Sequence, residues 1–269
     1  MNEIKTCIKI CRIVQKQTKK SYSTFFIFLN LFYVLFFLSN FLIFVIMALR
    51  MIYYLFTLDL TGWEFLALML AYFLAIALAF SSHEFAHAIT AKWCGDKTAE
   101  SAGRISLNPF KHIDKFGALS FLLVGFGWAK PVPVNPLQFR NYKRGIRLVS
   151  SAGIITNFVL FIIFSCMFHF ITPLLNLNKM LQVFVYFFLY LSMSLNLSLA
   201  LFNILPIYPL DGFNYLTSFM RPDNKFAQFM YRYGNLILLI IIILPIFDIV
   251  YYYAVGGIQT LMTKFWGLF

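Results

Sequence analysis

The chain has 269 residues, 61% of them hydrophobic and only 12% charged, with a mean hydropathy of +0.79. A soluble domain carries roughly 25% charged residues, so this composition excludes a soluble enzyme or binding module, and no stretch is long and polar enough for a separate soluble domain. The net charge of +12 does not mark a nucleic-acid binder, because the Lys and Arg lie in short loops between apolar runs, where membrane topology puts them.

Residues 1–20 are basic, and a Phe-rich apolar run follows over about 24–48. It exceeds the 7–15 residues of a signal-peptide core, and Met47-Ala48-Leu49-Arg50 is a poor cleavage site. Residues 1–50 therefore read as a basic N-terminus with an extra transmembrane helix. A start at Met47 or Met51 is the alternative, and it would remove 1–46. A long apolar helix is expected from about 63 to 92. The stretch 93–147 is more polar and holds Gly95, Gly103, Asn108-Pro109 and Pro131-Val132-Pro133-Val134-Asn135-Pro136. Within it, Phe116 to Ala129 is apolar but too short to span, which suits a re-entrant or interfacial element. Short edge strands fit 103–107 or 131–134. Further spans are expected at about 148–173, 183–204 and 234–256, the last kinked at Pro245. The fold class expected is an all-α polytopic membrane protein with about five transmembrane helices. Its core would be 51–233, followed by a C-terminal helix and tail over 234–269.

Charge gives the orientation. With 1–23 inside and the spans alternating, the inside segments hold 19 Lys and Arg: six in 1–23, five in 91–115, five in 130–147 and three in 205–233. The outside holds Arg50, Lys179 and Lys264. The bias puts 93–147 and 205–233 in the cytoplasm. Cys7, Cys11, Cys94 and Cys166 fit neither a disulfide framework nor a zinc ribbon and read as free thiols.

Inside the first long helix stands His83-Glu84-Phe85-Ala86-His87, an H-E-x-x-H. Two histidines four apart on a helix lie about 40° apart around its axis, so both rings face one way. Such a pair can hold zinc, with the intervening glutamate as general base. Ionisable residues inside an apolar span are costly and functional candidates by default. A catalytic zinc needs a third protein ligand and an open position for water. Asp211 follows a helix broken by Pro206, Pro209 and Gly212. It is the acidic residue best placed on another element, at the same membrane face as the histidines.

These residues resemble the site-2 protease family of intramembrane zinc metalloproteases, in its compact bacterial form without a PDZ domain. H-E-x-x-H and the downstream Leu210-Asp211-Gly212 match it. Gly103-Arg104-Ile105-Ser106-Leu107-Asn108-Pro109 and Gly127-Trp128-Ala129-Lys130-Pro131-Val132-Pro133-Val134 are similar to its loop motifs. Ser151-Ala152-Gly153-Ile154-Ile155-Thr156-Asn157 is similar to its A-G-P-x-x-N motif, with Ile154 where proline is usual. The resemblance covers roughly 60–215. It implies one zinc ion per chain held by His83, His87 and Asp211, with Glu84 as the base. The substrate would be a transmembrane segment of another membrane protein, cut near the cytoplasmic face of a bacterial cell membrane. It also implies that Asn157 and Asn203 bond the scissile backbone or the oxyanion, against the alternative of interhelical bonding. His112 is a weaker candidate for reaching the site from an interfacial loop. A transporter carrying protons or metal ions on the same residues, or a non-proteolytic scaffold, is the alternative function. Neither matched repeats nor a missing ligand or base favours them.

Overall fold

The computed structural model describes residues 61–112, 130–221, 223–243 and 245–268. Among these residues every regular element is helical, and the protein is an all-α membrane protein. Three helices are long and apolar enough to cross a bilayer: α1 (Gly62–Cys94), α3 (Tyr142–Ile171, with a 3-10 turn to Leu174) and α4 (Lys179–Asn203). A short α2 (Thr98–Ser101) follows α1, and a short α5 (Asp211–Thr217) follows α4. The expected first span over 24–48 and the apolar element Phe116 to Ala129 lie outside the described residues. Neither 103–107 nor 131–134 forms a strand.

α1 begins where Thr61 N–H donates to the Glu64 carboxylate at 2.7 Å. It ends at Gly95, whose φ of 113° suits a glycine and lets Asp96 N–H bond back to Ala91 O. Ala67, Ala71, Ala75 and Ala79 form a buried stripe at four-residue spacing. Small residues in this pattern let membrane helices approach closely, and α1, α3 and α4 pack against one another. Phe161, Phe164, Leu189, Met193 and Leu197 fill the core between α3 and α4. Asn141 and Asn178 cap the two helices, accepting from Arg144 N–H at 3.0 Å and Leu181 N–H at 2.9 Å.

The expected span 234–256 falls on α6 (Lys225–Ile243) and α7 (Pro245–Trp266); residue 244 between them lies outside the described residues, and with it the geometry of the expected kink at Pro245. α7 is fastened to the bundle by Gln259 Nε2 donating to Ser194 Oγ at 2.9 Å and Trp266 Nε1 donating to Ser165 Oγ at 3.0 Å.

Candidate metal centre

His83 and His87 lie about two turns from the end of α1, and both are buried. Asp211 comes from the break after α4. There, Pro206 and Pro209 prevent the helix from continuing, Ile207 N–H bonds Leu205 O, and Leu210 N–H bonds Ile207 O. Gly212 makes the fold-back possible. A Cβ there would stand 2.5 Å from the Ile204 carbonyl carbon and 2.7 Å from Leu205 O, so the turn tolerates no side chain at this point.

The result is a triangle of candidate ligand atoms. His83 Nε2 and His87 Nε2 are 3.0 Å apart. Asp211 Oδ2 lies 3.2 Å from the first and 3.1 Å from the second. These three residues form a group able to hold a metal ion. Their other contacts fix which atoms face inward. His87 Nδ1 is 2.8 Å from Val149 O, a carbonyl that can only accept, so Nδ1 carries the proton. Asn157 Nδ2 donates to Ala79 O at 3.2 Å, which turns Asn157 Oδ1 toward His83 Nδ1, 2.5 Å away. In the neutral rings both Nε2 atoms therefore present lone pairs to a carboxylate oxygen that is buried and makes no hydrogen bond among the described residues. Three electron-pair donors at this spacing repel one another unless a cation sits among them. A proton on one ring satisfies Asp211 but leaves the other ring's lone pair facing the carboxylate, and protonating both would bring two N–H groups 3.0 Å from each other.

The spacing suits a small cation. Zinc bonds of about 2.0–2.1 Å set neighbouring tetrahedral ligand atoms roughly 3.3–3.4 Å apart, and the triangle is only a few tenths of an ångström tighter. The backbone of α3 closes one side. A Cβ at Gly153 would fall 2.5 Å from His83 Cε1, 2.7 Å from His83 Nδ1 and 2.7 Å from His87 Nε2.

Glu84 does not join the triangle. Its Oε2 accepts the backbone N–H of Val132 at 2.8 Å. The segment 130–135 is tied down beside α1 at several other points. Arg104 Nη2 donates to Lys130 O at 2.6 Å, Lys130 N–H donates to His112 O at 2.7 Å, and Asn135 N–H donates to the buried Asp96 carboxylate at 2.7 Å. Arg104 of the first loop motif thus helps to fasten residues 130–134 of the second over the glutamate.

The other sequence candidates stand apart from the triangle or behind it. Asn157 is fully buried, and its amide is engaged by His83, Ala79 and Asn196. Asn203 donates to Leu199 O in its own helix at 3.0 Å. His112 is buried with Nε2 on Ser106 O at 2.7 Å, a contact within the loop. Sequence reading did not single out Gly153 for its contact with the histidines, nor Val132, Asp96 and Asn196. Asn196 is fully buried, accepts from Asn157 at 2.8 Å and donates to Ser192 O at 2.8 Å.

A profile for Peptidase family M50 matches residues 71–241, a stretch that contains every atom of this centre. The chain belongs to that family, the site-2 proteases. It is 34% identical over 191 residues to a Bacillus subtilis protein named "Putative zinc metalloprotease YwhC", covering 67% of this chain and 84% of that one. It is 27% identical over 207 residues to "Putative zinc metalloprotease Rip2" of Mycolicibacterium smegmatis, covering 68% and 76%. No solved structure matches it. As an M50 peptidase the chain is a membrane metalloprotease.

Proposed function

We propose that this M50 peptidase is a zinc-dependent intramembrane endopeptidase that cleaves transmembrane segments of other membrane proteins. One observation carries the reading: His83 and His87 from one apolar helix and Asp211 from the break after another converge to 3.0–3.2 Å with lone pairs turned inward. His83 and His87 would bind through Nε2 and Asp211 through Oδ2, one ion per chain. When bound, zinc polarises the substrate carbonyl and lowers the pKa of a coordinated water to about 7.

The protein's own groups do the rest. Glu84, held by the Val132 amide, takes the proton of the attacking water and later gives it to the leaving amine. Val149 O and Asn157 Oδ1 hold the two rings in the tautomer that leaves Nε2 free, and Asn196 holds Asn157. Asn157 acts here as a positioning residue, because its amide is already satisfied on three sides. The substrate must be locally unwound, since an intact helix shields its carbonyls in hydrogen bonds. The 19-to-3 distribution of Lys and Arg supports a centre near the cytoplasmic face.

The test is cleavage of single-pass segments by purified protein in bilayers. Wild type cuts within the apolar segment, while Glu84→Gln is inactive yet keeps one zinc by metal analysis. Full turnover by Glu84→Gln would refute the role of Glu84. Cleavage that persists after zinc is stripped by a chelator would refute the metal mechanism.

A further inference from the structure

A groove of about 830 Å³ runs between α1 and α3 at the end of the bundle that carries the metal centre. Its walls are Phe85, Ile89 and Trp93 of α1 and Leu148 and Ile155 of α3. Its mouth is formed by Arg140 and Arg144, both exposed. Among the described residues neither guanidinium has a carboxylate or hydrogen-bond partner. Arg104, Arg147 and Arg232, by contrast, are engaged by backbone carbonyls or aromatic rings.

The groove is not a route to the catalytic atoms. None of His83, Glu84, His87 and Asp211 lines it. At about 100° per residue around a helix, Phe85, Ala86, Ile89 and Trp93 centre on the flank roughly 150° away from Glu84. Attack by the water that Glu84 deprotonates must occur on the Glu84 side, beneath the 130–135 segment. A scissile peptide lying in the groove would be on the wrong side of α1.

The chemistry of the groove is amphiphilic and graded along its length: apolar walls on the outer faces of α1 and α3, two unpaired cations at one end, and an exposed Trp93 at the rim. Basic pockets between helices on the cytoplasmic side bind anionic headgroups, and arginine matches phosphate oxygens in bidentate geometry. We propose that this groove is a site for an anionic glycerophospholipid, its phosphate held by Arg140 and Arg144 and an acyl chain lying between α1 and α3. The occupant would pack against Ala86 and Ala152, neighbours in sequence of His87 and of Gly153. Lipid would thus support, from behind, the helix pair that forms the centre.

The test is native mass spectrometry of the full-length, delipidated protein. It is titrated with phosphatidylglycerol, with phosphatidylcholine of the same chains, and with inorganic phosphate. Phosphatidylglycerol should be retained at least tenfold more tightly than phosphatidylcholine, and phosphate alone should not bind. The double variant Arg140→Gln/Arg144→Gln should reduce phosphatidylglycerol binding to the phosphatidylcholine level. Leu148→Trp, which fills the groove and leaves both arginines, should weaken both lipids; unchanged zinc content in each variant shows that the fold is intact. Equal retention of the two lipids, or an unaffected double variant, would overturn the site. So would a photo-crosslinker at Ile155 that captures a cleavable substrate segment in place of lipid, because the groove would then belong to the peptide.

Discussion

Gly153→Ala adds one methyl group at the point where α3 touches both histidines. The new carbon would stand 2.5–2.7 Å from His83 Cε1, His83 Nδ1 and His87 Nε2, well inside van der Waals contact. Either ring can retreat only by giving up the hydrogen bond that aims its Nε2 into the centre. His83 is held by Asn157 and His87 by Val149 O, and both lie in a packed interior. Overpacking of this kind costs about 1–3 kcal/mol. Here the cost falls on the ligand geometry, so with tenfold in affinity per 1.4 kcal/mol zinc should bind roughly 5- to 150-fold more weakly. The fold itself should not suffer. Position 153 is inside a helix, where alanine is favoured over glycine by up to about 1 kcal/mol, and the metal-free rings have other rotamers to occupy. The assay is chelator competition on purified protein, with thermal unfolding measured with and without zinc. The variant should melt at or above the wild-type temperature when metal-free and show a smaller zinc-induced rise. Wild-type zinc affinity in Gly153→Ala would refute the claim that α3 walls the centre. A lower metal-free melting temperature would show that the methyl damages packing instead.

Asp211→Ala should lose zinc and activity together, and Asp211→Asn should lose them less completely because an amide oxygen is a weaker ligand; Asp223→Ala, a few residues on, should retain both. Normal zinc content in Asp211→Ala would remove it from the ligand set. The pH dependence should report Asp96, which lies beyond the end of α1. Burial pushes its carboxyl up, but hydrogen bonds from the Thr98 hydroxyl and from the N–H groups of Asn135 and Thr98 outweigh this and hold its pKa below the ordinary 3.8. A lowered folded pKa contributes stability that is fully present above the ordinary value and is lost as pH falls through the folded one. Asp96→Asn should therefore melt below wild type at neutral pH, and the gap should close as pH drops below 3.8. A gap that is constant with pH would mean that the carboxylate's charge is irrelevant to anchoring the 130–135 segment.

The convergence of His83, His87 and Asp211 was legible because each member carries a local signal. His83 and His87 share a face by helical spacing alone, and Pro206, Pro209 and Gly212 announce a break that can turn a carboxylate inward. The spans α1, α3 and α4 were legible to within a few residues at most boundaries, since apolar runs bounded by polar loops leave little choice. α3 started six residues and α4 four residues earlier than expected. Asn141 supplies a cap at the true start of α3, and the charged turn after it was read as loop.

What the sequence withheld is contact across elements. Asn203 drew notice because it stands in a motif, yet it bonds within its own helix. Asn196, seven residues earlier on the same face, supports Asn157. The two are equally polar residues in an apolar run, and only the crossing of α3 over α4 distinguishes them. Glu84 poses a sharper case, because its partner is a backbone amide 48 residues away. A side-chain pattern cannot name an amide, but this one left a trace. Pro131 and Pro133 carry no N–H, so between Lys130 and Val134 only Val132 can donate. A pair of prolines around one residue reads first as a break in secondary structure. Beside the half-buried Glu84 carboxylate it also leaves a single donor on that stretch of backbone and stiffens the chain on both sides of it. The register of the loop against α1 is then set by one hydrogen bond to Glu84 and one to Asp96, which explains how an irregular segment can hold a fixed position over the site without forming a strand.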